Sequence, residues 1–124
     1  MRRVPEFDSF VDGRGEIRDL LREADLDGVT VITTKRGGVR GNHYHRETSQ
    51  WTYLISGRLR WVTQMPGEEA QENVVGPGAF VLSPPDERHA MLAEEDSTMM
   101  VFTQGPRSGE NYESDTIRLD KPLL

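Results

Sequence analysis

The three histidines of the 124-residue chain lie at only two places, and their spacing is the first sign of chemistry. His43 and His45 are separated by one residue, and His89 follows much later in the chain. Residues i and i+2 of a strand point to the same face, so the first two side chains could converge. A third histidine from a neighbouring strand would complete a set of three nitrogen ligands for a divalent transition metal such as Zn, Ni, Fe or Mn.

Composition excludes several other kinds of site and partner. The chain has no cysteine, which excludes a disulfide framework, a thiolate zinc site, an iron–sulfur cluster and a cysteine nucleophile. The formal net charge of -6 argues against a nucleic-acid partner. No apolar stretch approaches the roughly 20 residues that span a bilayer, and no apolar segment follows the two N-terminal arginines. We expect a cytoplasmic protein that acts on a small molecule, with no membrane partner and no organic cofactor.

The elements that must position the histidines are short strands. Gly and Pro recur along the chain and separate runs rich in β-branched and aromatic residues. Ser56 and Gly57 between two such runs predict a tight hairpin. Many short strands at spacings of about ten residues are typical of a sandwich or a barrel. The predicted strands are residues 29–34, 51–55, 59–63, 79–82 and 98–103.

Only residues 16–26 have apolar residues at helical spacing, so one helix is predicted there. The length fits a single domain, residues 1–124, with the barrel core at about residues 28–104. Residues 1–27 and 105–124 are expected to pack on this core or on a partner subunit. Ile117 and Leu119 in the tail could add an edge strand.

The histidines fall within a longer pattern of fixed residues. Five residues separate Gly37 from His43, and Gln50 and Gly57 follow. Downstream, five residues separate Gly78 from Pro84, and His89 lies five positions beyond Pro84. This pattern resembles the two motifs of the cupin superfamily over about residues 37–92. The resemblance implies an all-β fold of the cupin-type double-stranded β-helix, a jelly-roll barrel with little helix. It also implies a metal-ligand set, which is His43, His45, Gln50 and His89.

Three positions depart from the cupin motifs. Gln50 stands where the family usually has a glutamate ligand, Asp86 replaces a glycine, and Ala93 replaces an asparagine. A neutral amide does not offset the charge of a buried divalent ion, so it lowers metal affinity relative to a carboxylate. Glu47 could replace Gln50 as a ligand if its strand continued two residues beyond His45.

A second resemblance points to one branch of the superfamily. The run RGNHYH from Arg40 to His45 is similar to the RGxH segment of nucleotide-sugar 3,5-epimerases and 3,4-ketoisomerases. It is also similar to the cupin domain of capsular polysaccharide bifunctional reductases. The run DGRGEI at residues 12–17 resembles the DxRG element of the same sugar enzymes. The resemblance implies an isomerase or epimerase that acts on a 4-keto sugar of a nucleotide sugar in polysaccharide biosynthesis, and a homodimer.

Such a reaction removes a proton next to a ketone, and the enolate that forms needs stabilisation. His43 is a candidate base, because a histidine titrates near neutral pH. His45, His89 or a bound metal could stabilise the enolate. Tyr53 is a candidate acid if it faces inward.

Four further residues are candidates for binding the substrate. Arg14 and Arg40 could contact phosphates through forked hydrogen bonds, although structural ion pairs with carboxylates such as Asp12 are an equal alternative. Trp51 and Trp61 could stack on the substrate if they face the cavity, and otherwise belong to the core.

Three functions remain open. The first is a nucleotide-sugar isomerase or epimerase, and the second is a metal-dependent cupin of other chemistry, such as a dioxygenase or a lyase. The third is a non-catalytic cupin that binds a small molecule. The fold alone does not choose among them. The sugar-enzyme motifs favour the first, the three histidines favour the second, and the lack of an aspartate that can be placed beside His43 favours the third.

Overall fold

The computed structural model describes residues 1–124 as two five-stranded sheets, one hairpin and one short helix. The strands are β1 (Arg2–Arg3), β2 (Phe10–Asp12), β3 (Gly15–Ile17), β4 (Gly28–Thr34), β5 (Val39–His45), β6 (Ser49–Ser56), β7 (Leu59–Gln64), β8 (Gln71–Val75), β9 (Phe80–Ser83), β10 (Arg88–Ala93), β11 (Ser97–Gln104) and β12 (Thr116–Arg118). Helix α1 (Gly109–Asp115) directly precedes β12. The first sheet has the order β1-β9-β6-β11-β4 and the second the order β12-β5-β10-β7-β8.

All strand pairs are antiparallel, and the two sheets enclose the apolar core. Strand β11 alternates buried and less buried residues, as a strand with one face in the core does. The prediction of an all-β jelly roll with little helix is therefore confirmed. The core side chains are Leu54, Leu59, Trp61, Val75, Val81, Met91, Ala93, Met99 and Val101.

Each of the five predicted strand runs lies in or overlaps a strand, but the predicted hairpin is wrong. Strand β6 pairs with β9 and β11 in the first sheet, whereas β7 pairs with β8 and β10 in the second. Gly57, at a φ of +98°, turns the chain from one sheet to the other. A Cβ on Gly57 would lie 2.6 Å from the carbonyl oxygen of Asp96 and from Cα of Ser97. This close approach to the start of β11 requires a glycine.

The helix predicted at residues 16–26 is also wrong. Strand β3 occupies Gly15–Ile17, where it pairs with β2, and irregular turns follow. Arg18 anchors this segment, because Nη1 donates to the carbonyl oxygen of Gly78 at 2.9 Å and the guanidinium lies 5.5 Å from the ring centre of Tyr53. These long-range contacts hold the segment against the first sheet and override its helical periodicity.

The C-terminal tail packs on the second sheet. Strand β12 pairs with β5, so the predicted edge strand is confirmed. The side-chain oxygen of Asn42 accepts hydrogen bonds from the backbone N–H groups of Leu123 and Leu124, which fixes the end of the chain. The one helix, α1, has seven residues, which is too few to span a bilayer.

Candidate functional site

A bulge in β5 sets the direction of its histidines. His43 lies opposite His89 in the pairing with β10, but Gly41 lies opposite Ala90, so Asn42 is an extra residue on β5. Gly41 and Asn42 both have positive φ values, +91° and +56°. A Cβ on Gly41 would lie 2.7 Å from the carbonyl oxygen of His89, so the bulge requires a glycine here. Bulges of this kind re-aim side chains near functional sites.

The three histidines converge inside the jelly roll, as their spacing predicts. The ring centre of His43 lies 4.8 Å from that of His45 and 4.7 Å from that of His89. One ring nitrogen of each lies within 4.8 Å of the others. His45 and His89 are buried, and Nε2 of His45 has no hydrogen-bond partner. A buried polar atom without a partner calls for an explanation, and a ligand or a metal ion would supply one.

The histidines are neutral at pH 7. Burial lowers the pKa of His43 to about 4 and the pKa of His89 to about 3, and the neighbouring imidazoles add to both effects. Burial also lowers the pKa of His45, but the carboxylate of Asp115 opposes this effect. Neutral imidazoles keep a free lone pair, which is the form that binds a metal or accepts a proton.

Gln50 and Glu47, the two alternative fourth ligands, lie in different places. Gln50 projects from β6 into the same cavity as His43 and His89. Strand β5 ends at His45, and Glu47 is exposed in the following turn, outside the histidine cluster. The geometry therefore places the amide of Gln50 near the histidines and leaves the carboxylate of Glu47 away from them.

A cavity of about 370 Å³ opens in front of the histidines, between the two sheets. Its inner wall contains the core side chains Met91, Met99 and Val101. The C-terminal segment supplies the opposite wall, which consists of Arg107, Tyr112, Glu113, Thr116 and Arg118. A small molecule that entered would contact the histidines on one side and charged groups on the other.

Asp115 lies behind the histidines, and no pattern in the sequence pointed to it. Its carboxylate accepts hydrogen bonds from the backbone N–H of Glu47 at 2.7 Å and from the hydroxyl of Thr48. Oδ2 also lies 3.9 Å from Nδ1 of His45. Asp115 is 5% exposed, so this buried carboxylate ties α1 to the end of β5.

Thr116 completes the support of His45. The hydroxyl of Thr116 donates to the carbonyl oxygen of Tyr112 at 2.9 Å, and its oxygen lies 3.2 Å from Nδ1 of His45. With its proton used in this way, the hydroxyl oxygen accepts a hydrogen bond from Nδ1–H. The proton of His45 then lies on Nδ1, and the lone pair of Nε2 faces the other histidines. Such outer partners orient histidines in metal and catalytic sites.

The two arginines proposed as substrate ligands lie far apart. Arg40 lines the cavity, where Nε donates to the hydroxyl of Thr34 at 2.9 Å and Nη2 to the carbonyl oxygen of Thr33 at 2.8 Å. Arg14 lies in the exposed β2–β3 hairpin, outside the cavity, and pairs with Asp12 at 2.6 Å. The ion pair considered as the alternative for Arg14 is therefore present.

The three predicted aromatic residues do not line the cavity of this chain. Gln50 and Thr52 of β6 face inward, so Trp51 and Tyr53 point to the opposite face. Tyr53 packs there against Phe80, with ring centres 6.2 Å apart. Trp61 is 1% exposed and belongs to the apolar core. The inward orientation that a catalytic Tyr53 or a stacking tryptophan would need is thus not observed.

Residues 30–104 match the family model of the cupin domain, so the chain belongs to the cupin family. Its structure is similar to a sugar 3,4-ketoisomerase from Thermoanaerobacterium thermosaccharolyticum in complex with TDP, with a TM-score of 0.76, 19% identity, and coverage of 93% of this chain and 85% of that chain. It is also similar to dTDP-4-dehydrorhamnose 3,5-epimerase from Sulfolobus tokodaii, with a TM-score of 0.69 and 18% identity. This alignment covers 82% of this chain and 68% of that chain.

The capsular polysaccharide assembling protein from Staphylococcus aureus is a third similar structure, with a TM-score of 0.67 and 22% identity. The alignment covers 94% of this chain but 35% of that protein. At these identities the similarity establishes a common fold. No curated protein matches the chain by sequence.

Proposed function

We propose that this cupin is an isomerase or epimerase that acts on the 4-keto sugar of a nucleotide sugar in polysaccharide biosynthesis. The observation that carries the proposal is the neutral cluster of His43, His45 and His89 at a cavity that Arg40, Arg107 and Arg118 also line. A neutral base and an anion-binding rim are the two features that such a substrate needs. The RGNHYH and DGRGEI runs and the fold shared with sugar ketoisomerases and epimerases support the same substrate class.

In this reaction, His43 accepts the proton from the carbon next to the ketone. The C–H bond breaks, its electron pair moves toward the keto oxygen, and the proton goes to the imidazole. For ketoisomerisation, the imidazolium then protonates the former carbonyl carbon, while the hydroxyl proton on the first carbon passes to the former keto oxygen. For epimerisation, an acid on the other face of the sugar protonates the first carbon, and Tyr112 of the cavity is the candidate for this role. The low pKa of His43 makes it neutral at pH 7 and makes its protonated form a ready proton donor.

The histidine cluster also fits a divalent transition metal. Three neutral imidazoles with nitrogens within 4.8 Å of one another, one of them buried without a partner, form a suitable donor set beside the amide of Gln50. A bound ion would act as a Lewis acid toward the keto oxygen. His43 would then be a ligand, and the ionisable cavity residues Tyr112 and Glu113 would be left to move the proton.

The same donor set supports a second candidate function, a metal-dependent cupin of other chemistry such as a dioxygenase or a lyase. The unpartnered Nε2 of His45 favours it, because this atom has no role in a reaction that His43 performs alone. Gln50 counts against it, since no ligand charge offsets the charge of the ion.

Solvent deuterium exchange into dTDP-4-keto-6-deoxyglucose, measured together with the metal content of the purified protein, tests the proposal. We expect deuterium next to the ketone with the native protein and none with His43→Asn. The control variant Gln104→Glu, which changes an exposed residue outside the cavity, should catalyse deuterium exchange like the native protein. Stoichiometric metal without any exchange would reject the isomerase in favour of the second function.

A further inference from the structure

Three arginines at the cavity have no carboxylate partner. Arg40, Arg107 and Arg118 line the cavity, and none of them forms an ion pair within the protein. The chain carries a net charge of -6, so carboxylates are abundant elsewhere. Ion pairs with carboxylates are made by other arginines, namely Arg14, Arg18, Arg22, Arg58 and Arg60.

Arg107 is held in place before any ligand arrives. Its Nε donates to the hydroxyl of Thr30 at 3.2 Å, and its guanidinium lies 4.8 Å from the ring centre of Tyr112. Gly28 leaves room for its aliphatic part, because a Cβ on Gly28 would lie 2.9 Å from Cγ of Arg107. A fixed guanidinium loses little conformational entropy when it binds an anion.

Arg118 lies close to the chemistry. In the pairing of β12 with β5 it is opposite His43, and its charge contributes to the low pKa of that histidine. Arg40 enters the cavity from β5, where hydrogen bonds to β4 fix its Nε and Nη2 groups. The three guanidiniums thus reach the cavity from β5, from the segment before α1, and from β12.

We propose that Arg107 and Arg118, together with Arg40, bind the diphosphate group of the substrate. The charge count supports this ligand class: three guanidiniums and the carboxylate of Glu113 leave a net charge of two positive units at the cavity. A diphosphate diester carries about two negative charges, one on each phosphate. Forked guanidiniums suit the several oxygens of adjacent phosphates, whereas a single carboxylate would leave at least one guanidinium without a counter-charge.

This inference rests on the proposed function for its substrate, but it assigns residues from outside the matched cupin domain. Arg107 and Arg118 follow residue 104, where the family match ends. The C-terminal segment would then supply the anion-binding side of the cavity, and the strands of the cupin domain would supply the histidines.

Isothermal titration with dTDP, UDP and thymidine tests the assignment. We expect the native protein to bind both diphosphates, more weakly at high salt, and to bind thymidine poorly. Arg107→Gln and Arg118→Gln should each weaken dTDP binding about tenfold or more, the loss of a charged hydrogen bond. Arg36→Gln, an exposed arginine outside the cavity, is the matched control and should bind like the native protein.

Circular dichroism and Tm measurements on each variant exclude unfolding as the cause of any loss of dTDP binding. The variant Gly28→Ala provides a second test of the role of Arg107. It keeps the charge of Arg107 but moves the side chain, so it should also weaken dTDP binding. Equal dTDP affinity in native protein and both arginine variants, or no diphosphate binding by the native protein, would overturn the inference. Arginine-dependent dTDP binding without deuterium exchange into the keto sugar would instead reject the proposed function and leave this assignment intact.

Discussion

Asp115 and His45 lie beside each other inside the protein, with Oδ2 of the aspartate 3.9 Å from Nδ1 of the histidine. Both side chains are almost fully buried, at 4% and 2% exposure. The aspartate lies at the end of α1 and the histidine at the end of β5, so the pair joins the C-terminal segment to the histidine cluster. The carboxylate favours an Nδ1–H tautomer of His45, which directs the Nε2 lone pair toward the other two histidines.

Replacement of Asp115 by Asn should lower zinc affinity or deuterium exchange at the histidine cluster more than it lowers the stability of the fold. Loss of such an outer partner typically lowers metal affinity or activity about 10- to 100-fold. We expect a decrease of that size in zinc affinity or in deuterium exchange, with unchanged KM for the sugar. Asp120→Asn, an exposed aspartate with no hydrogen bond in the structure, is the control. A variant with lower Tm but native zinc affinity and exchange would show that Asp115 is only structural.

Changes at His45 and Gln50 should move zinc affinity in opposite directions. His45→Ala removes a buried nitrogen donor and should abolish zinc binding measured by titration into the metal-free protein. Gln50→Glu adds a charged oxygen ligand and should increase zinc affinity about tenfold or more, because its charge offsets that of the ion. Gln104→Glu introduces the same charge away from the cavity and should have no effect. Equal zinc binding in all four proteins would argue against a metal at this cluster.

The stability of the metal-free protein should fall as the pH decreases below 6.5. The pKa of His43 is about 4 and that of His89 about 3 in the folded state, against 6.5 for an unperturbed histidine. Below pH 6.5 the unfolded chain therefore binds protons that the folded chain does not, which lowers the free energy of unfolding. Each histidine contributes a slope of at most about 1.4 kcal/mol per pH unit. Urea unfolding at pH values from 7 to 4 measures this pH dependence of the free energy of unfolding. The variant His43→Asn should have a smaller slope. An unchanged slope would contradict the low pKa of His43 in the folded state.

The contribution of Glu87 to stability should have the opposite pH dependence to that of the two histidines. It is 3% exposed, Oε1 has no hydrogen-bond partner, and burial raises its pKa. The folded chain therefore keeps this proton at pH values where the unfolded chain has lost it, so the residue lowers stability as the pH rises. We expect Glu87→Gln to raise Tm at pH 7, with a gain that shrinks toward pH 4. A gain that is independent of pH would mean that ionisation of Glu87 is not its cause.

Substitution of Gly41 by Ala should destabilise the bulge that presents His43. The residue has a φ of +91°, and an added Cβ would lie 2.7 Å from a backbone oxygen of β10. A strained backbone of this kind costs about 1–3 kcal/mol, which urea unfolding detects as a lower midpoint. Gly13→Ala is the matched control, because nothing lies within 4 Å of the added atom. Equal losses in the two variants would show that the bulge itself is not under this constraint.

Local patterns in the sequence were sufficient for five of the strands and for the shared face of His43 and His45. A strand places residues i and i+2 on one face, so His43 and His45 had to share a face once β5 formed. The β-branched and aromatic runs likewise predicted five strands, because short-range preference and burial agree there. These features depend on neighbours along the chain, and the sequence displays those neighbours directly.

Only the tertiary structure decided which distant residues meet. The turn at Gly57 joins two sheets instead of two paired strands, because a contact with β11 fixes its path. Residues 16–26 follow contacts of Arg18 instead of their helical periodicity. Asp115 reaches His45, and Arg107 and Arg118 reach the cavity, because β12 pairs with β5 across the sequence. Pairing between strands so far apart depends on the energy of the whole fold, and no spacing within the sequence encodes it.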